Sequence, residues 1–125
     1  WRRAGAGGDV LVPVPVHQAR RRERGYDQAA LIAAVAAEQL RLPWRVAAVR
    51  TRATTAQYHL DRRHRASNVA EAFAIDPAAR AAIAGRWVVL VDDVVTTGAT
   101  LCETARAILA GGAAAVSAIT VARER

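Results

Sequence analysis

One stretch decides the fold: VVLVDDVVTTGAT, which runs from Val88 to Thr100. With Trp87 before it, the apolar run to Val91 is rich in β-branched residues, which is typical of a strand buried on both faces. Asp92-Asp93 ends this predicted strand, and a turn of small and hydroxyl-bearing residues follows. We predict that a helix then runs from Gly98 to Leu109 and stops at a glycine pair.

The first part of the chain predicts a strand and a helix. The apolar run from Val10 to Val16 is interrupted by two prolines, so we expect a strand that ends early or lies at an edge. Asp27 is placed to cap a helix that runs to Leu40, and Leu31 and Val35 belong to its expected apolar face.

The remaining segments complete an alternation of strands and helices. Val46–Val49 is a short apolar run, and we predict a long basic loop over Arg50–Ala66. The stretch Ser67–Ile75 is ambiguous between a turn and a short strand that ends at 73–75. We predict one or two helical turns over Pro77–Ala84 and a last buried strand over Ala115–Val121. Such alternation indicates an α/β fold, a doubly wound and mostly parallel sheet with helices on both faces. Ligands of such sheets bind at the carboxyl ends of the strands, where Asp92 falls.

Composition sets broad limits on the protein class. The chain has 125 residues, 53% of them hydrophobic, which suits one domain over 1–125. No apolar run approaches the ~18 residues of a membrane span, so we expect a protein without membrane insertion, in the cytoplasm. Cys102 is the single cysteine, which we expect to be buried in the helix, and it excludes a disulfide or a cysteine-built zinc cluster within these residues.

The net charge of +7 would attract phosphates, nucleotides or nucleic acid. All 18 basic residues are arginine, a bias that a GC-rich genome would produce, so their clustering is more informative than their number.

The turn after Asp93 has the chemistry of a phosphate site. The start of a helix offers unpaired backbone N–H groups and a partial positive charge, and small residues let a phosphate approach them. Two carboxylates at the strand end would accept hydrogen bonds from ribose hydroxyls beside that phosphate. The GxxxxGK[ST] and GxGxxG phosphate motifs are both absent. The alternative is that the acids only cap a helix and keep a strand end soluble.

The same stretch resembles the signature with which type I phosphoribosyltransferases bind 5-phosphoribosyl-1-pyrophosphate (PRPP). The resemblance implies a parallel sheet of about five strands. It also implies that Asp92 and Asp93 contact the ribose and serve catalysis, and that main-chain amides and hydroxyls of one turn bind the 5-phosphate: Val95, Thr96, Thr97, Gly98, Ala99 and Thr100. Mg²⁺ would be held by substrate oxygens, with Asp92 or Asp93 contributing through a water.

Further residues resemble the ComF-like competence branch of this family. They are Val12 to His17 with Arg22 and Arg24 to Gln28, then Arg52, Thr55, Gln57 and Leu60, then Arg65, Asn68 and Glu71 to Phe73. Members of that branch commonly carry an N-terminal four-cysteine zinc module, which these residues lack, so we expect an N-terminal segment or module to be missing.

In the family, the turn after the first strand binds pyrophosphate and a long loop closes over the site. Arginine suits phosphate oxygens because its guanidinium presents a rigid fork of donors. The candidates for pyrophosphate binding are His17, Arg22, Arg24, Arg63 and Arg65. A basic run can also be only a solvated face, and a histidine in a polar loop is more often a surface side chain.

Two functions follow from the resemblance. The first is a phosphoribosyltransferase that binds PRPP or ribose 5-phosphate and passes the phosphoribosyl group to a nitrogen acceptor. Enzyme activity is a weaker expectation than binding, because no base-binding hood or general base is recognisable. The alternative is a non-catalytic module in DNA uptake that binds a helicase partner or single-stranded DNA, although aromatic residues make up only 5% of the chain. A homodimer is also compatible with the sequence.

Overall fold

The computed structural model describes residues 7–16, 27–51 and 73–125. Within these ranges the elements follow one another as β1 (Val10–Pro13), α1 (Gln28–Leu40), β2 (Ala48–Arg50), β3 (Phe73–Ile75), a 3-10 turn (Pro77–Ala79), α2 (Arg80–Ile83), β4 (Trp87–Val95), α3 (Ala99–Ala110) and β5 (Ala115–Arg123).

The main sheet is parallel and has the strand order β1-β4-β5. Val12 pairs with Leu90, and Leu90 pairs with Ala118. A parallel bridge between Leu11 and Trp44 extends the sheet beyond β1. Strands β2 and β3 form a separate antiparallel pair. The predicted α/β class is therefore confirmed.

Helices and the small strand pair cover the two faces of the main sheet. On one face, Ala33 and Ala37 of α1 pack against Leu11, Val89 and Val91. On the other, a larger cluster joins α2, α3 and the residues around β2 to the sheet: Val10, Val12, Val14, Ala47, Ala48, Ala79, Ile83, Val88, Leu90 and Ile108. This two-sided burial explains why β4 begins as a continuous apolar run.

Strand β1 ends early, as predicted, and is the outer strand of the order β1-β4-β5, with one isolated bridge on its other side. Pro13 is its last residue and pairs with Val91, and Val14 still donates from its backbone N–H to the Val91 carbonyl (2.9 Å). On the other side, Leu11 bonds to the backbone of Pro43 and Arg45. Proline is tolerated because it stands at the strand end.

Strand β4 is longer than its apolar run predicts. The prediction ended it at Val91, but pairing with β5 continues to Val95, which pairs with Arg123. Its partner on the other side, β1, has ended by then, so Asp92 and Asp93 lie on a two-stranded extension. An apolar run indicates which residues are buried and not which residues pair with a neighbouring strand. The strand can therefore extend beyond the apolar run.

The burial predictions for α1 and β5 were wrong. Leu31 and Val35 of α1 are 56% and 63% exposed, and the buried residues are Ala29, Ala33 and Ala37. A stripe of alanine lets the helix backbone approach the sheet closely, which the larger side chains would prevent. Strand β5, predicted to be buried, is half-buried or exposed along its length, because it has only one strand neighbour within the described residues.

The other elements match their predictions. Asp27 caps α1 by accepting from the backbone N–H of Ala30 (3.0 Å). The segment from Pro77 forms the 3-10 turn and α2, and α3 ends just before the predicted glycine pair. No helix among the described residues is both apolar enough and long enough to cross a bilayer.

Candidate functional site

The two acids lie where β4 leaves the body of the sheet. Val91 is fully buried, whereas Asp92 and Asp93 are half-buried and Val94 is exposed. The pair thus stands at the carboxyl end of the central strand, between the closed core and solvent. This is the position at which ligands of doubly wound sheets bind.

The two carboxyl groups interact with each other and with the backbone after them. Asp92 Oδ1 accepts from the backbone N–H of Asp93 (2.9 Å), and Asp93 Oδ1 accepts from that of Val94 (2.8 Å). Burial raises the pKa of Asp92 to about 6, and a side-chain hydrogen bond with Asp93 and its negative charge act in the same direction. Asp92 therefore holds its proton more strongly than an exposed carboxyl group.

The turn after β4 leads straight into α3. Gly98 occupies the left-handed region at φ 83° and is the N-cap residue of the helix. A Cβ built on Gly98 would meet nothing within 4 Å, so the space next to this backbone is open. Thr97 Oγ1 accepts from the backbone N–H of Ala99 (3.3 Å). The turn is therefore closed locally by its own hydroxyl and leaves room for a ligand.

The first turn of α3 presents backbone donors ahead of its helical hydrogen bonds. The N–H of Cys102 donates to the Gly98 carbonyl (2.9 Å), so the amides between these residues precede the helical ladder. Thr100 is half-buried, and its carbonyl accepts from the buried Thr104 hydroxyl (2.7 Å), which ties the turn to the helix. Cys102 is exposed, contrary to the prediction, because its side of α3 faces away from the sheet.

Arg50 joins the site, although sequence reasoning placed it in a basic loop. It is the last residue of β2, and its Nε donates to the Pro15 carbonyl beyond the end of β1 (3.1 Å). Its positive charge lowers the pKa of Asp92, opposing the effect of burial. The sequence does not predict this contact, because nothing in it distinguishes Arg50 from the other arginines of the predicted loop. The position of Arg50 depends on the pairing of β2 with β3.

The predicted site residues divide into two groups. The structure brings together Asp92, Asp93 and the turn Val95 to Thr100, all at one end of β4. The candidates for pyrophosphate binding lie outside the described residues: His17, Arg22, Arg24, Arg63 and Arg65. Most of the predicted loop Arg50–Ala66 also lies outside them.

The described part of the chain contains no group of three or more His, Cys, Asp or Glu side chains that could hold a metal ion. Asp92 and Asp93 supply hard oxygen donors, which suit Mg²⁺, but too few for a site made of protein alone. They fit an ion whose other ligands come from a bound phosphate compound.

Comparison with known proteins gives a family and close relatives. The profile of the phosphoribosyl transferase domain matches residues 27–125. The chain is 42% identical over 109 residues to the DNA utilization protein YhgH of Escherichia coli K12, with 86% of this chain and 46% of the relative covered. It is 35% identical over 96 residues to Competence protein F of Haemophilus influenzae, with 76% of this chain and 42% of the relative covered. The chain thus spans about half the length of these relatives.

Among solved structures, the fold is similar to glutamine PRPP amidotransferase from B. subtilis complexed with ADP and GMP. The TM-score is 0.63 at 19% identity, with 96% of this chain and 24% of that chain covered. A second neighbour, an allosteric regulatory enzyme of purine biosynthesis, has a TM-score of 0.60 at 20% identity, with 96% and 23% covered. At such identities the likeness shows the fold alone. Because the family profile and the closely related sequences agree, this chain belongs to the phosphoribosyl transferase domain family, in its ComF-like type I branch.

Proposed function

We propose that the carboxyl end of β4 and the turn into α3 bind the ribose 5-phosphate moiety of PRPP. The observation that carries the proposal is the juxtaposition of the half-buried pair Asp92 and Asp93 with the open backbone at Gly98. One end of a single strand thus offers acceptors for sugar hydroxyls and donors for a phosphate.

The 5-phosphate would lie on the turn Val95 to Thr100. Backbone amides at the start of α3 donate to anionic oxygens, and the helix dipole favours negative charge there. The hydroxyls of Thr96, Thr97 and Thr100 add donors in the same turn. Gly98 lets the phosphate approach because no side chain fills the space above its backbone.

The ribose hydroxyls would donate to Asp92 and Asp93. Such hydrogen bonds favour the ionised carboxylates and replace the contact between the two acids. Mg²⁺, when bound with PRPP, would neutralise pyrophosphate charge, and Asp92 or Asp93 could hold it through a water. The remaining anionic oxygens suit the arginine candidates, which are Arg22, Arg24, Arg63 and Arg65, together with His17.

We infer that the domain acts as a phosphoribosyltransferase. The bond between C1 of the ribose and the pyrophosphate oxygen breaks, a bond from a nitrogen acceptor to C1 forms, and the acceptor releases a proton. The developing positive charge on the sugar ring would be stabilised by the nearby carboxylates Asp92 and Asp93. The substrate would be PRPP, and the acceptor a nitrogen base.

Calorimetric titration tests the binding site. The double variant Asp92→Asn/Asp93→Asn should bind ribose 5-phosphate at least ~10-fold more weakly, because the sugar loses two charged acceptors. The matched control is Asp9→Asn/Glu38→Gln, which removes two negative charges outside the site and should bind normally. Equal affinity in the wild type and the site variant would remove both acids from the site.

Catalysis is tested separately by release of pyrophosphate from PRPP in the presence of candidate nitrogen bases. Release that requires both a base and the intact acids supports transfer. If PRPP binds tightly but no pyrophosphate is released with any base, the domain is a binding module and the transfer reaction is contradicted.

A second function is favoured by the names of the relatives, a DNA utilization protein and a competence protein, and by the net charge of +7. In this alternative the domain would bind single-stranded DNA or a helicase partner. DNA affinity that falls steeply as salt is raised, and that survives the double substitution of the acids, would support it. Absence of DNA binding at low salt would rule out the DNA-binding form.

A further inference from the structure

Arg50 stands at the junction of three segments that meet near the candidate site. It is half-buried and ends β2, where it pairs with Phe73 at the start of β3. It therefore comes from the small antiparallel pair and not from the main sheet. Any contact it makes with the main sheet joins two separately hydrogen-bonded parts of the fold.

The first such contact is to the chain just after β1. Arg50 Nε donates to the carbonyl of Pro15 at 3.1 Å, across 35 positions of sequence. Pro15 has no backbone N–H and lies beyond the last paired residue of β1, so the sheet does not hold it directly. A hydrogen bond from a charged donor is among the stronger ones in proteins.

The second contact is between the guanidinium group and an aromatic ring. Arg50 Cζ lies 4.9 Å from the centroid of the Phe73 ring, within the range of a cation–π interaction. Phe73 is only 8% exposed, so the ring itself is held by the core. A guanidinium group that lies over a buried ring has little rotational freedom left, so it can hold the Pro15 carbonyl in place.

The third feature is the proximity of this charge to Asp92. The segment that Arg50 holds lies beside this acid, because Pro13 pairs with Val91 and the Val14 N–H donates to the Val91 carbonyl. The Arg50 charge also lowers the pKa of Asp92. Arg50 thus contacts the end of β1 and the β2–β3 pair, and its charge acts on Asp92 in β4.

We propose that Arg50 is a positioning residue of the ribose 5-phosphate site, which fixes the end of β1 and the β2–β3 pair against each other beside Asp92. This inference rests on the proposed function. It assigns Arg50 no contact with the ligand: the residue acts through the segments that it holds and through its charge near the acids.

Ribose 5-phosphate titration of Arg50→Met tests the proposal, with Arg86→Met as the matched control. Arg86 is exposed and precedes β4 at the opposite end of the strand, so its substitution removes the same charge away from the site. We expect Arg50→Met to bind about 10-fold more weakly, because the end of β1 and the β2–β3 pair are no longer held together beside the acids. Arg86→Met should bind as the wild type does.

Arg50→Lys separates a positioning role from a merely structural one. Lysine keeps the charge and a donor but loses the guanidinium contact with the Phe73 ring, so we expect affinity between those of Arg50→Met and the wild type. The carbonyl carbon of Pro15 should also shift in the NMR spectrum of Arg50→Met and not in that of Arg86→Met. Affinity in folded Arg50→Met within about twofold of the wild type would overturn the proposal, as would equal loss in both methionine variants.

If Arg50→Met does not fold, Phe73→Leu carries the test, because it removes the ring and leaves the arginine. Its affinity should fall, and unchanged affinity would overturn the positioning role. The outcomes also separate this inference from the proposed function. Absence of ribose 5-phosphate binding in the wild type contradicts the proposed site, whereas normal wild-type binding that Arg50→Met leaves intact contradicts only the role of Arg50.

Discussion

At the scale of single residues, the proposed site depends on Gly98 and Asp92. Gly98 combines a left-handed backbone with open space, and both properties depend on the missing side chain. The chain contains a natural comparison in Gly85, which precedes β4 at its other end. Gly85 also has a positive φ, of 66°, and open space around its would-be Cβ.

The pair allows backbone strain to be separated from ligand access. Gly98→Ala and Gly85→Ala should each lower the free energy of unfolding by about 1 kcal/mol, because alanine is strained in the left-handed region. Only Gly98→Ala should weaken ribose 5-phosphate binding, since its methyl group enters the proposed phosphate space. Chemical denaturation and calorimetry measure the two effects. Equal affinities of both variants would place the phosphate elsewhere.

The burial of Asp92 at the proposed site has a cost in stability. Its pKa is about 6 in the folded chain against an ordinary value of 3.8, so between these pH values the folded chain binds more protons than the unfolded one. Stability from this group is therefore greatest at low pH and falls as the pH rises towards about 6. Above that range the folded protein carries a half-buried, ionised carboxylate.

Asp92→Asn should therefore stabilise the protein near neutral pH while it weakens ligand binding. We expect a gain of about 1 kcal/mol in the free energy of unfolding above about pH 7, allowing for solvent screening of a partly exposed group, and little gain near pH 4. Urea denaturation at the two pH values measures it. The control Glu38→Gln removes a charge from an exposed part of α1 and should change the free energy of unfolding by no more than about 0.5 kcal/mol. A loss of stability at neutral pH would contradict the assigned environment.

At the scale of elements, α1 shows how small residues set the packing of a helix on a sheet. Ala33 is fully buried against Leu11 and Val89, whereas Leu31 is 56% exposed. Ala33→Leu should destabilise the protein by about 1–3 kcal/mol, because the added atoms have no space between helix and sheet. Leu31→Ala should change stability by only about 0.5 kcal/mol. Denaturation midpoints of the two variants measure this contrast. A larger loss of stability in Leu31→Ala than in Ala33→Leu would contradict this packing and support the apolar face predicted from the sequence.

The same elements show what the sequence can and cannot predict. The strand, acids, turn and helix from Trp87 onward follow from local patterns, because each depends on neighbouring residues. The burial of alanine rather than leucine in α1 does not follow from local patterns, because it depends on how closely the helix approaches the sheet. The extension of β4 to Val95 likewise depends on β5, and the contacts of Arg50 depend on residues distant in sequence.

At the scale of the whole molecule, the described residues form a parallel sheet that is covered on both faces by helices and a small antiparallel strand pair, with the proposed site at the carboxyl end of β4. That 1–125 is a single domain, and that a zinc module is missing, stay predictions. The chain spans 46% of its relative from Escherichia coli. The activity and partners of the whole protein are therefore wider questions than the chemistry of this edge.

The central claim is that a sugar phosphate binds at the end of β4, with its phosphate on the following turn. A crystal structure of the protein with ribose 5-phosphate and Mg²⁺ tests it most directly. The account predicts phosphate oxygens within hydrogen-bonding distance of the backbone amides around Gly98, and ribose hydroxyls on Asp92 and Asp93. A phosphate bound in another cleft, with this turn unoccupied, would contradict it.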